Sequence, residues 1–338
     1  MEEKRVVLGL SGGVDSAAAA LLLRRMGYRV LGVFLQGPGA DPAPARRAAA
    51  ELDIPLEIVD IREELERKVI CPFVESYLRG ETPNPCILCN PAVKFRRLAE
   101  AADRLGAEKI ATGHYAVARA GKLYASPSPK DQSYMLWNLA QEQLARIIFP
   151  LEDMVKTDVR ESARSANMPS ADIAESEDVC FLPDEDAIDF VRRVKGDMPE
   201  GDFINADGKI LGRHKGIAAY TIGQRRGLGI AAGRRVFVTD IDPVKNTVTV
   251  GDDADLYKSR ITVGKLNFQK LLPTESGEYG LSVKVRYAAA PVAAKVTIDG
   301  ETAKVCFSEP VRAAAPGQSA VFYDGDAIAF GGVIEREE

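Results

Sequence analysis

The sequence has no apolar run near the roughly 20 residues that a helix needs to cross a bilayer. Its charged N-terminal residues lead straight into a short apolar run, without the apolar stretch and small-residue cleavage site of a secretory signal. We therefore expect a cytoplasmic protein with no membrane partner. Hydrophobic residues make up 46% of the 338 residues and charged residues 28%, which is typical of a globular chain with two or three domains.

Histidine and cysteine are both scarce. The two histidines, His114 and His214, leave few imidazoles for a structural zinc site. The odd number of cysteines, five, argues against a disulfide framework and favours reactive or metal-bound thiols. We expect Cys71 and Cys306 to be small buried hydrophobic residues instead. The remaining thiols are the candidates for chemistry: Cys86, Cys89 and Cys180.

Positive charge is concentrated in one segment of an acidic chain. The formal net charge is −5, yet the segment 205–240 holds seven Lys and Arg against two Asp, a local excess of 7 − 2 = +5. A uniformly basic nucleic-acid binder is therefore excluded, but this segment favours contact with nucleic-acid phosphates.

The first half of the chain alternates short apolar strands with Ala- and Leu-rich helices. The strand predicted over 5–10 ends at a glycine-rich turn, and the helix predicted over 15–26 follows directly. This alternation predicts an α/β domain with a doubly wound parallel sheet. Past about residue 200, short alternating runs separated by turn residues predict two small β-rich domains. We expect an α/β domain over 1–197, a central β-rich domain over 198–260 and a C-terminal β-barrel over 261–338.

The turn between the first strand and the first helix reads Ser11-Gly12-Gly13-Val14-Asp15-Ser16. Two glycines allow a tight turn and a close approach to an anion, and N–H groups at the start of the helix bind phosphate. The serines add hydroxyl donors, and Asp15 is a candidate ligand for Mg²⁺. The motif is not a Walker A sequence, because no Gly-Lys-Ser/Thr follows.

This loop resembles the pyrophosphate loop of the N-type ATP pyrophosphatases. The resemblance implies ATP cleavage between the α- and β-phosphates, with adenine against the end of the second strand, at Phe34 or at the backbone of Leu35. His114, which follows a glycine at a strand end, is expected to make a polar contact in the ATP site. The ATP-binding residues implied are Gly9, Leu10, Ser11, Gly12, Gly13, Val14, Asp15, Ser16, Leu35 and Gly113.

A second motif, Thr82-Pro83-Asn84-Pro85-Cys86-Ile87-Leu88-Cys89-Asn90, places two cysteines in a proline-rich segment. Its prolines fix φ and are expected to keep the segment from forming a helix. A C-x-x-C pair held in such a loop is a candidate for thiol chemistry, together with Cys180 far along the chain.

The motifs together resemble the tRNA-specific 2-thiouridylases, bacterial enzymes that place sulfur on C2 of the wobble uridine of tRNA. The resemblance covers nearly the whole chain. It implies an adenine nucleotide α-hydrolase-like first domain, ATP as cosubstrate, and as partners tRNA of the Lys, Glu and Gln types and a sulfur donor protein or sulfide. The segments that carry it are 9–16, 82–85, 88–90, 94–95, 111–115, 130–134, 221–229 and 316–323.

Residue by residue, the resemblance implies that Cys180 receives persulfide sulfur and that Cys89 forms a disulfide with it as sulfur is released. Further positions match tRNA-contacting segments around the target base, in a later loop and in the C-terminal barrel. They are Asn84, Pro85, Cys86, Lys130, Asp131, Gln132, Arg286 and Tyr287.

Position 86 departs from the family pattern, because many members have Asp where this chain has Cys86. Two routes are therefore open. Sulfur passes through a persulfide on Cys180 and a disulfide with Cys89, or the three thiols hold a [4Fe–4S] cluster with one iron open to a sulfur donor. The loop 36–44 is also shorter than the family pattern, so a lid or contact of the family is unaccounted for.

Two other classes of protein share part of these features. An adenylating ligase or amidotransferase, similar to argininosuccinate synthase, would use the glycine loop but would leave the three cysteines and the β-rich half unexplained. A non-catalytic tRNA- or nucleotide-binding protein would not need an intact Asp15 or the pair Cys89 and Cys180.

Overall fold

The computed structural model describes residues 3–166, 168, 179–182, 185–230, 233–271 and 277–337. No helix within these ranges is long and apolar enough to span a bilayer. The chain separates into two compact units, each built from segments that are distant in sequence. The first unit comprises Met1–Val69, Cys86–Pro183 and Gly325–Ile328, and the second unit comprises Ile70–Pro85, Asp184–Asp324 and Ala329–Glu338.

Helices occur mainly before residue 200. In chain order they are α1 (Val14–Arg25), α2 (Ala43–Glu51), α3 (Arg62–Leu65), α4 (Cys71–Leu78), α5 (Pro85–Cys89), α6 (Phe95–Leu105), α7 (Gln141–Leu144), α8 (Lys156–Ser165) and α9 (Ala187–Lys195). Two π-helical segments, Glu66–Ile70 and Asn90–Lys94, precede α4 and α6.

The first unit is built on a parallel sheet. Its strands, with a small hairpin formed by β5 and β6, are β1 (Arg5–Gly9), β2 (Arg29–Gln36), β3 (Leu56–Asp60), β4 (Lys109–Ala111), β5 (Val117–Arg119), β6 (Lys122–Tyr124) and β7 (Ile147–Ile148). The sheet order is β3-β2-β1-β4-β7, and β1 pairs in parallel with both β2 and β4. The order of strands therefore reverses beside β1, where doubly wound sheets bind ligands at their carboxyl ends.

The core of the first unit explains why β1 and α1 form where they do. Val6 and Leu8 of β1 and Ala17, Ala20 and Leu23 of α1 are fully buried in one cluster. Alanine-rich spacing lets the helix approach the sheet closely, and the apolar run of β1 is covered on both faces as parallel strands require. The predicted doubly wound α/β domain is confirmed.

The second unit contains a four-stranded sheet and a barrel. The sheet has the order β10-β11-β8-β9 and is formed by β8 (Gly201–Ile204), β9 (Ile210–His214), β10 (Phe237–Asp242) and β11 (Thr247–Gly251). Phe203, Val238, Ile241 and Val248 are fully buried in one cluster that also includes apolar residues of the segment 217–236. This is the first of the two β-rich regions that the sequence predicts.

The barrel follows directly. Its strands are β12 (Tyr257–Phe268), β13 (Gly277–Lys284), β14 (Val292–Asp299), β15 (Thr302–Arg312), β16 (Ser319–Asp324) and β17 (Ala327–Ile334). The order β12-β15-β14-β13-β16-β17 closes on itself, because β12 also pairs with β17. Phe322 and Phe330 stack at 4.0 Å between ring centroids inside it. The predicted C-terminal β-barrel is confirmed.

One expectation about local structure is wrong. The prolines of the segment 82–90 do not prevent a helix, because Pro85–Cys89 forms α5 and Asn90–Lys94 continues as a π-helical segment. Pro85 is the first helical residue, where the missing N–H is not needed. Pro91 falls inside the continuing helix, where its missing donor accounts for the switch to wider π-type turns.

Candidate active site

The glycine loop lies at the carboxyl end of β1, beside the point where the strand order reverses. Gly13 caps α1 in an extended conformation, and the Ser16 hydroxyl donates to its carbonyl oxygen at 2.9 Å. The Ser11 and Ser16 hydroxyl oxygens are 3.2 Å apart, and Gly13 N donates to Ser11 Oγ at 3.3 Å. The loop is thus folded on itself with the N-terminus of α1 at its centre, which is the arrangement that binds phosphate.

Two glycines of the predicted ATP site have no room for a side chain. Gly12 has a φ of +86°, and a Cβ there would lie 2.3 Å from the carbonyl carbon of Pro44. A Cβ on Gly113 would lie 2.9 Å from the carbonyl carbon of Asp15. The short loop 36–44 and the turn after β4 therefore pack directly against the glycine loop.

Asp15, predicted as a ligand for Mg²⁺, is held from one side. Its Oδ1 accepts hydrogen bonds from Tyr115 Oη at 2.7 Å and from Lys156 Nζ at 2.6 Å. No described residue donates to its second oxygen, Oδ2. A carboxylate with one open oxygen beside a phosphate-binding loop fits Mg²⁺, which takes one or two carboxylates together with substrate phosphates. Sequence reasoning missed both partners, because nothing in residues 115 or 156 relates them to the loop.

The other predicted ATP residues lie on neighbouring strands of the same sheet. Leu35 is half-buried near the carboxyl end of β2, and Phe34 beside it is 7% exposed. His114 follows β4, and its Nδ1 lies 2.7 Å from Thr112 Oγ1. Burial lowers the pKa of His114 well below its ordinary value, and the Lys94 ammonium lowers it further. The imidazole is therefore neutral, and the polar contact that the structure shows is with Thr112.

The thiols of Cys86, Cys89 and Cys180 act on one another in the first unit. Burial raises the pKa of Cys89 to about 11, and the other two thiols contribute in the same direction. The pKa of Cys180 is also raised, first by desolvation of its thiol and then by Cys86. The residue as a whole is nevertheless exposed. Cys86 is exposed on α5. The structure thus brings together the three cysteines that the sequence separates by up to 94 positions, 180 − 86.

Lys94 opposes this effect at both candidate catalytic thiols. Its ammonium lowers the pKa of Cys89 and of Cys180, and its backbone N–H donates to the sulfur of Cys89. That N–H lies five residues after Cys89, at the end of the π-helical segment. A cation and an N–H near a thiol favour the thiolate, which is the reactive form. The sequence contained Lys94 only as part of a motif, with no role attached.

A metal centre at the three thiols is not shown by the structure. Within the residues that the structure describes, no group of three His, Cys, Asp or Glu side chains is arranged to hold a metal ion. A [4Fe–4S] cluster ligated by Cys86, Cys89 and Cys180 therefore stays a prediction, and the sulfur chemistry proposed for this chain does not use it.

The segment that leads to α5 is held within the second unit. Thr82 N donates to Pro316 O at 2.9 Å, and Gln318 Nε2 donates to Thr82 O at 2.8 Å. Gly317, with a φ of +87°, approaches Glu81 so closely that a Cβ would lie 2.8 Å from the Cβ of Glu81. The motif 316–323 at the barrel thus fixes the backbone immediately before Asn84.

Comparison with known proteins identifies the family. Family models described as the tRNA methyl transferase HUP domain, the tRNA methyl transferase PRC-barrel domain and the aminomethyltransferase beta-barrel domain match residues 4–184, 188–252 and 258–334. The tRNA-specific 2-thiouridylase MnmA of Clostridium acetobutylicum is 42% identical over 98% of this chain and 99% of its own length. The enzyme of the same name from Syntrophotalea carbinolica is 42% identical over the same shares.

This chain belongs to the tRNA-specific 2-thiouridylase family. Its membership confirms the predicted enzyme class and the predicted ATP-dependent thiolation of tRNA, and does not favour a ligase, an amidotransferase or a non-catalytic binding protein. A solved 4-thiouridine synthetase–RNA complex with bound ATP covers 54% of this chain and 46% of its own at 22% identity and a TM-score of 0.37. That likeness is too low to support any functional argument.

Asp131 and Gln132, which are predicted to contact tRNA, form hydrogen bonds with residues of their own loop and with Tyr115. Asp131 Oδ1 accepts from Ser126 N at 2.9 Å and from Ser133 N at 3.1 Å. Gln132 Oε1 accepts from Tyr115 N at 3.0 Å, and Gln132 N donates to Tyr115 O at 2.7 Å. The bonds of Gln132 hold the loop against Tyr115, which contacts Asp15. Asp131 and Gln132 therefore have a structural role in addition to the predicted contact with tRNA. Lys130 is half-buried next to them.

The remaining candidates of the thiouridylase lie in the second unit. Arg286 and Tyr287 occupy the turn between β13 and β14, where Arg286 is exposed and Tyr287 is 40% exposed. The Lys284 ammonium lies 5.8 Å from the centroid of the Tyr287 ring. In the basic segment 205–240, Arg225 and Arg226 are exposed and form no ion pair with any described residue.

The expectation of burial is wrong for two thiols of the thiouridylase. Cys306 is exposed, because Val305 and Phe307 are the residues of β15 that point into the barrel. Cys71 is also exposed, at the first position of α4, where Phe73 and Val74 are the residues that enter the core. In both elements the larger apolar residues beside the cysteine are the ones that face the core, and the cysteine faces outward.

Proposed function

We propose that this chain thiolates C2 of the wobble uridine of tRNA through Cys180 and Cys89, with ATP bound at the glycine loop. The observation that carries the proposal is the placement of the helical segment 85–94. It carries Cys86 and Cys89, and the ring of Phe95, which follows it, lies 5.9 Å from the imidazole of His114, after the strand beside the glycine loop. Against the effect of burial, the Lys94 ammonium of this segment lowers the pKa of Cys89 and of Cys180. Sulfur chemistry and nucleotide chemistry therefore share one part of the first unit.

The ATP site consists of residues 9–16 together with Leu35 and Gly113. Loop N–H groups and the start of α1 hold the phosphates, and the C2 oxygen of the uridine attacks the α-phosphorus so that pyrophosphate leaves. Asp15 would hold Mg²⁺ through Oδ2, and the ion would neutralise charge on the phosphates. Adenylation turns the poorly leaving C2 oxygen into the good leaving group AMP.

Sulfur arrives as a persulfide on Cys180 from a donor of sulfane sulfur. Cys89 attacks the γ-sulfur of Cys180, the S–S bond breaks, and the released hydrosulfide attacks C2 as AMP leaves. The products are 2-thiouridine, AMP and a Cys89–Cys180 disulfide. An external thiol reductant supplies two electrons to reopen that disulfide before the next turnover.

The target tRNAs are those of the Lys, Glu and Gln types, as the family resemblance implies. Asn84, Pro85 and Cys86 surround the target base, and a flipped, unstacked base would be read by edge contacts and stacking there. Lys130, Asp131, Gln132, Arg286 and Tyr287 contact the tRNA elsewhere. The exposed Arg225 and Arg226 would bind the phosphates of the tRNA. We place them in a central domain over 198–260, which follows a domain over 1–197 and precedes a domain over 261–338. A cytoplasmic location is part of the same proposal.

A single assay with the full chain tests the proposal. The protein is incubated with ATP, Mg²⁺, an unmodified tRNA transcript, a persulfide donor and a thiol reductant, and 2-thiouridine and AMP are quantified. We expect 2-thiouridine at the wobble position with one AMP for each sulfur incorporated. AMP without 2-thiouridine would support a ligase or amidotransferase instead, and nucleotide binding without AMP would support a non-catalytic protein.

Two variants sharpen the assay. Cys180→Ser and Cys89→Ser should each lose thiolation by at least about 100-fold, because each removes one sulfur of the relay. Cys306→Ser, an exposed thiol of the barrel, is the matched control and should retain full activity. Equal activity in all three variants would refute the relay.

A further inference from the structure

The glycine loop lacks a cation of its own. In a Walker A loop, a lysine directly after the last glycine reaches the β- and γ-phosphates. Here the corresponding stretch is Val14-Asp15-Ser16, and its one charged residue is an aspartate, which repels phosphate. A site of this composition needs positive charge from another part of the chain.

The structure brings that charge to the loop from 141 positions away. Lys156 Nζ lies 2.6 Å from Asp15 Oδ1. Among the residues described, Lys156 is the one lysine or arginine bonded to any member of the segment 11–16. Gly113, whose α-carbon approaches the backbone of Asp15 and Ser16, completes the same surface.

The ammonium is held firmly in this position. The Lys156 side chain is 13% exposed. Lys156 is the first residue of α8, and Val159 and Ala163 of that helix are fully buried in the core that α1 also forms. The start of α8 is therefore fixed relative to the start of α1. Tyr115, 2% exposed, donates to the same Oδ1 and fixes the carboxylate between the two donors.

Stability alone is a weak reason for this pair. A largely buried lysine–carboxylate pair gains little net stability, because desolvation of both charges offsets their attraction. The pair is instead suited to a site that receives a polyanion, where a lysine binds phosphate as a point charge. Resting on the proposed ATP site, we propose that Lys156 is its phosphate-binding lysine, contacting β- or γ-phosphate oxygens of ATP as a Walker lysine does.

Nucleotide binding to the full chain tests this role without relying on turnover. Binding of α,β-methylene-ATP and of AMP is measured by calorimetry for the wild type, Lys156→Met and Lys156→Arg. We expect Lys156→Met to weaken α,β-methylene-ATP binding by roughly 10- to 100-fold and AMP binding by less than about threefold, since AMP lacks the β- and γ-phosphates. Lys156→Arg should recover most of the affinity, because it keeps the charge.

Two controls separate this role from simple neutralisation of Asp15. Lys122→Met removes an exposed lysine of β6 in the same unit and should leave both affinities unchanged. If Lys156 only balanced Asp15, the double variant Asp15→Asn/Lys156→Met would bind as tightly as Asp15→Asn alone. We expect the double variant to bind at least about tenfold more weakly than Asp15→Asn.

The outcomes are distinct for the site and for the residue. The role of Lys156 would be overturned, with the ATP site left intact, by either of two results. In the first, the wild type and Lys156→Met bind α,β-methylene-ATP equally tightly. In the second, Asp15→Asn/Lys156→Met binds it as tightly as Asp15→Asn. A wild-type chain that does not bind α,β-methylene-ATP would overturn the proposed ATP site and this role together. Circular dichroism and a thermal unfolding midpoint within a few degrees of wild type identify variants that remain folded.

Discussion

Gln318 Nε2 donates a hydrogen bond to the carbonyl oxygen of Thr82 at 2.8 Å, across 236 positions of sequence. Together with the bond from Thr82 N to Pro316 O, it makes a two-bond connection between a barrel turn and the backbone that leads to α5. The motif 316–323 is far in sequence from every candidate thiol. These two bonds give it a structural role, because they hold the segment before Asn84 in place.

Gly317→Ala should disrupt this connection. The residue has a φ of +87°, and a Cβ would lie 2.8 Å from the Glu81 Cβ and 3.1 Å from Thr82 N. We expect a loss of about 1–3 kcal/mol in the free energy of unfolding, measured with urea, and a lower thiolation rate. Gly300→Ala is the control, because Gly300 also has a positive φ, +58°, but open space around its α-carbon. Equal losses in both variants would show that backbone strain alone is responsible.

The parallel sheet was predictable because its signals are local. The apolar run of β1, the alanine-rich α1 and the glycines between them are contiguous, and both elements form within one residue of their predicted bounds at every end. The barrel strands carry alternating burial that a period of two reveals. In each case short-range pattern and final structure agree.

The partners of the site residues were not predictable, for equally physical reasons. Lys156 reaches Asp15 only because α8 packs against α1, and no pattern near residue 156 encodes that contact. The prolines predict no helix over 82–90, but Pro85 is the first residue of α5, where a missing N–H does not disturb the helix. Sequence motifs located the site, whereas tertiary packing decided which charges face it.

Cys86→Ser distinguishes the two sulfur routes. In the persulfide route Cys86 is not a carrier, so we expect thiolation to remain within about threefold of wild type. A cluster would instead be supported by a loss of thiolation of about 100-fold in Cys86→Ser, together with about four irons and Fe–S absorption in the anaerobically purified wild-type protein. Cys71→Ser removes another exposed thiol and controls for nonspecific effects of the substitution.

The reactivity of Cys89 should depend strongly on pH. Burial raises the pKa of its thiol to about 11, so the thiolate is a small minority near neutral pH. Alkylation of Cys89 by iodoacetamide, followed by peptide mass spectrometry, should therefore accelerate about tenfold for each pH unit between about 7 and 10. A plateau already at pH 8 would contradict this expectation.

Replacing Lys94 tests the cause of that reactivity. Its ammonium lowers the pKa of Cys89, so Lys94→Met should raise the pKa further and slow alkylation at any given pH in that range. We expect a slowing of roughly three- to tenfold at pH 8. Lys122→Met, which removes an exposed lysine of the same unit, should leave the rate unchanged.

Glu64 is the centre of an ion-pair network in the first unit. Its carboxylate, 7% exposed, accepts from Lys68 and Arg97 at 2.7 Å each and also from Arg96. Glu64→Ala leaves these cations without their shared partner, and we expect a loss of about 2–4 kcal/mol in unfolding free energy, since each cation is about one-third exposed. Glu100→Ala, which removes a 44% exposed partner of the same arginines, should cost less than about 1 kcal/mol.

The two histidines should make the protein less stable in acid. His214 is 1% exposed, its Nδ1 accepts from Gly216 N at 3.1 Å, and its Nε2 lies 3.1 Å from Asn246 O. Both nitrogens are satisfied only in the neutral ring, and burial lowers the pKa of His214 below its ordinary value. Arg213 lowers it further, whereas the bond to Asn246 and two nearby carboxylates act in the opposite direction.

The sign of the effect follows from the direction of that shift. Below about pH 6.5 an unfolded histidine takes up a proton that the folded ring resists, so the stability present above this pH is lost as pH falls. We expect the unfolding free energy of the wild type, measured with urea between about pH 7.5 and 5.5, to fall by up to about 1.4 kcal/mol per pH unit for each such histidine. His214→Gln should flatten this dependence, and His114→Gln/His214→Gln should flatten it further, because His114 is shifted in the same direction. A wild-type curve that is level across this range would show that neither ring must be neutral in the folded protein.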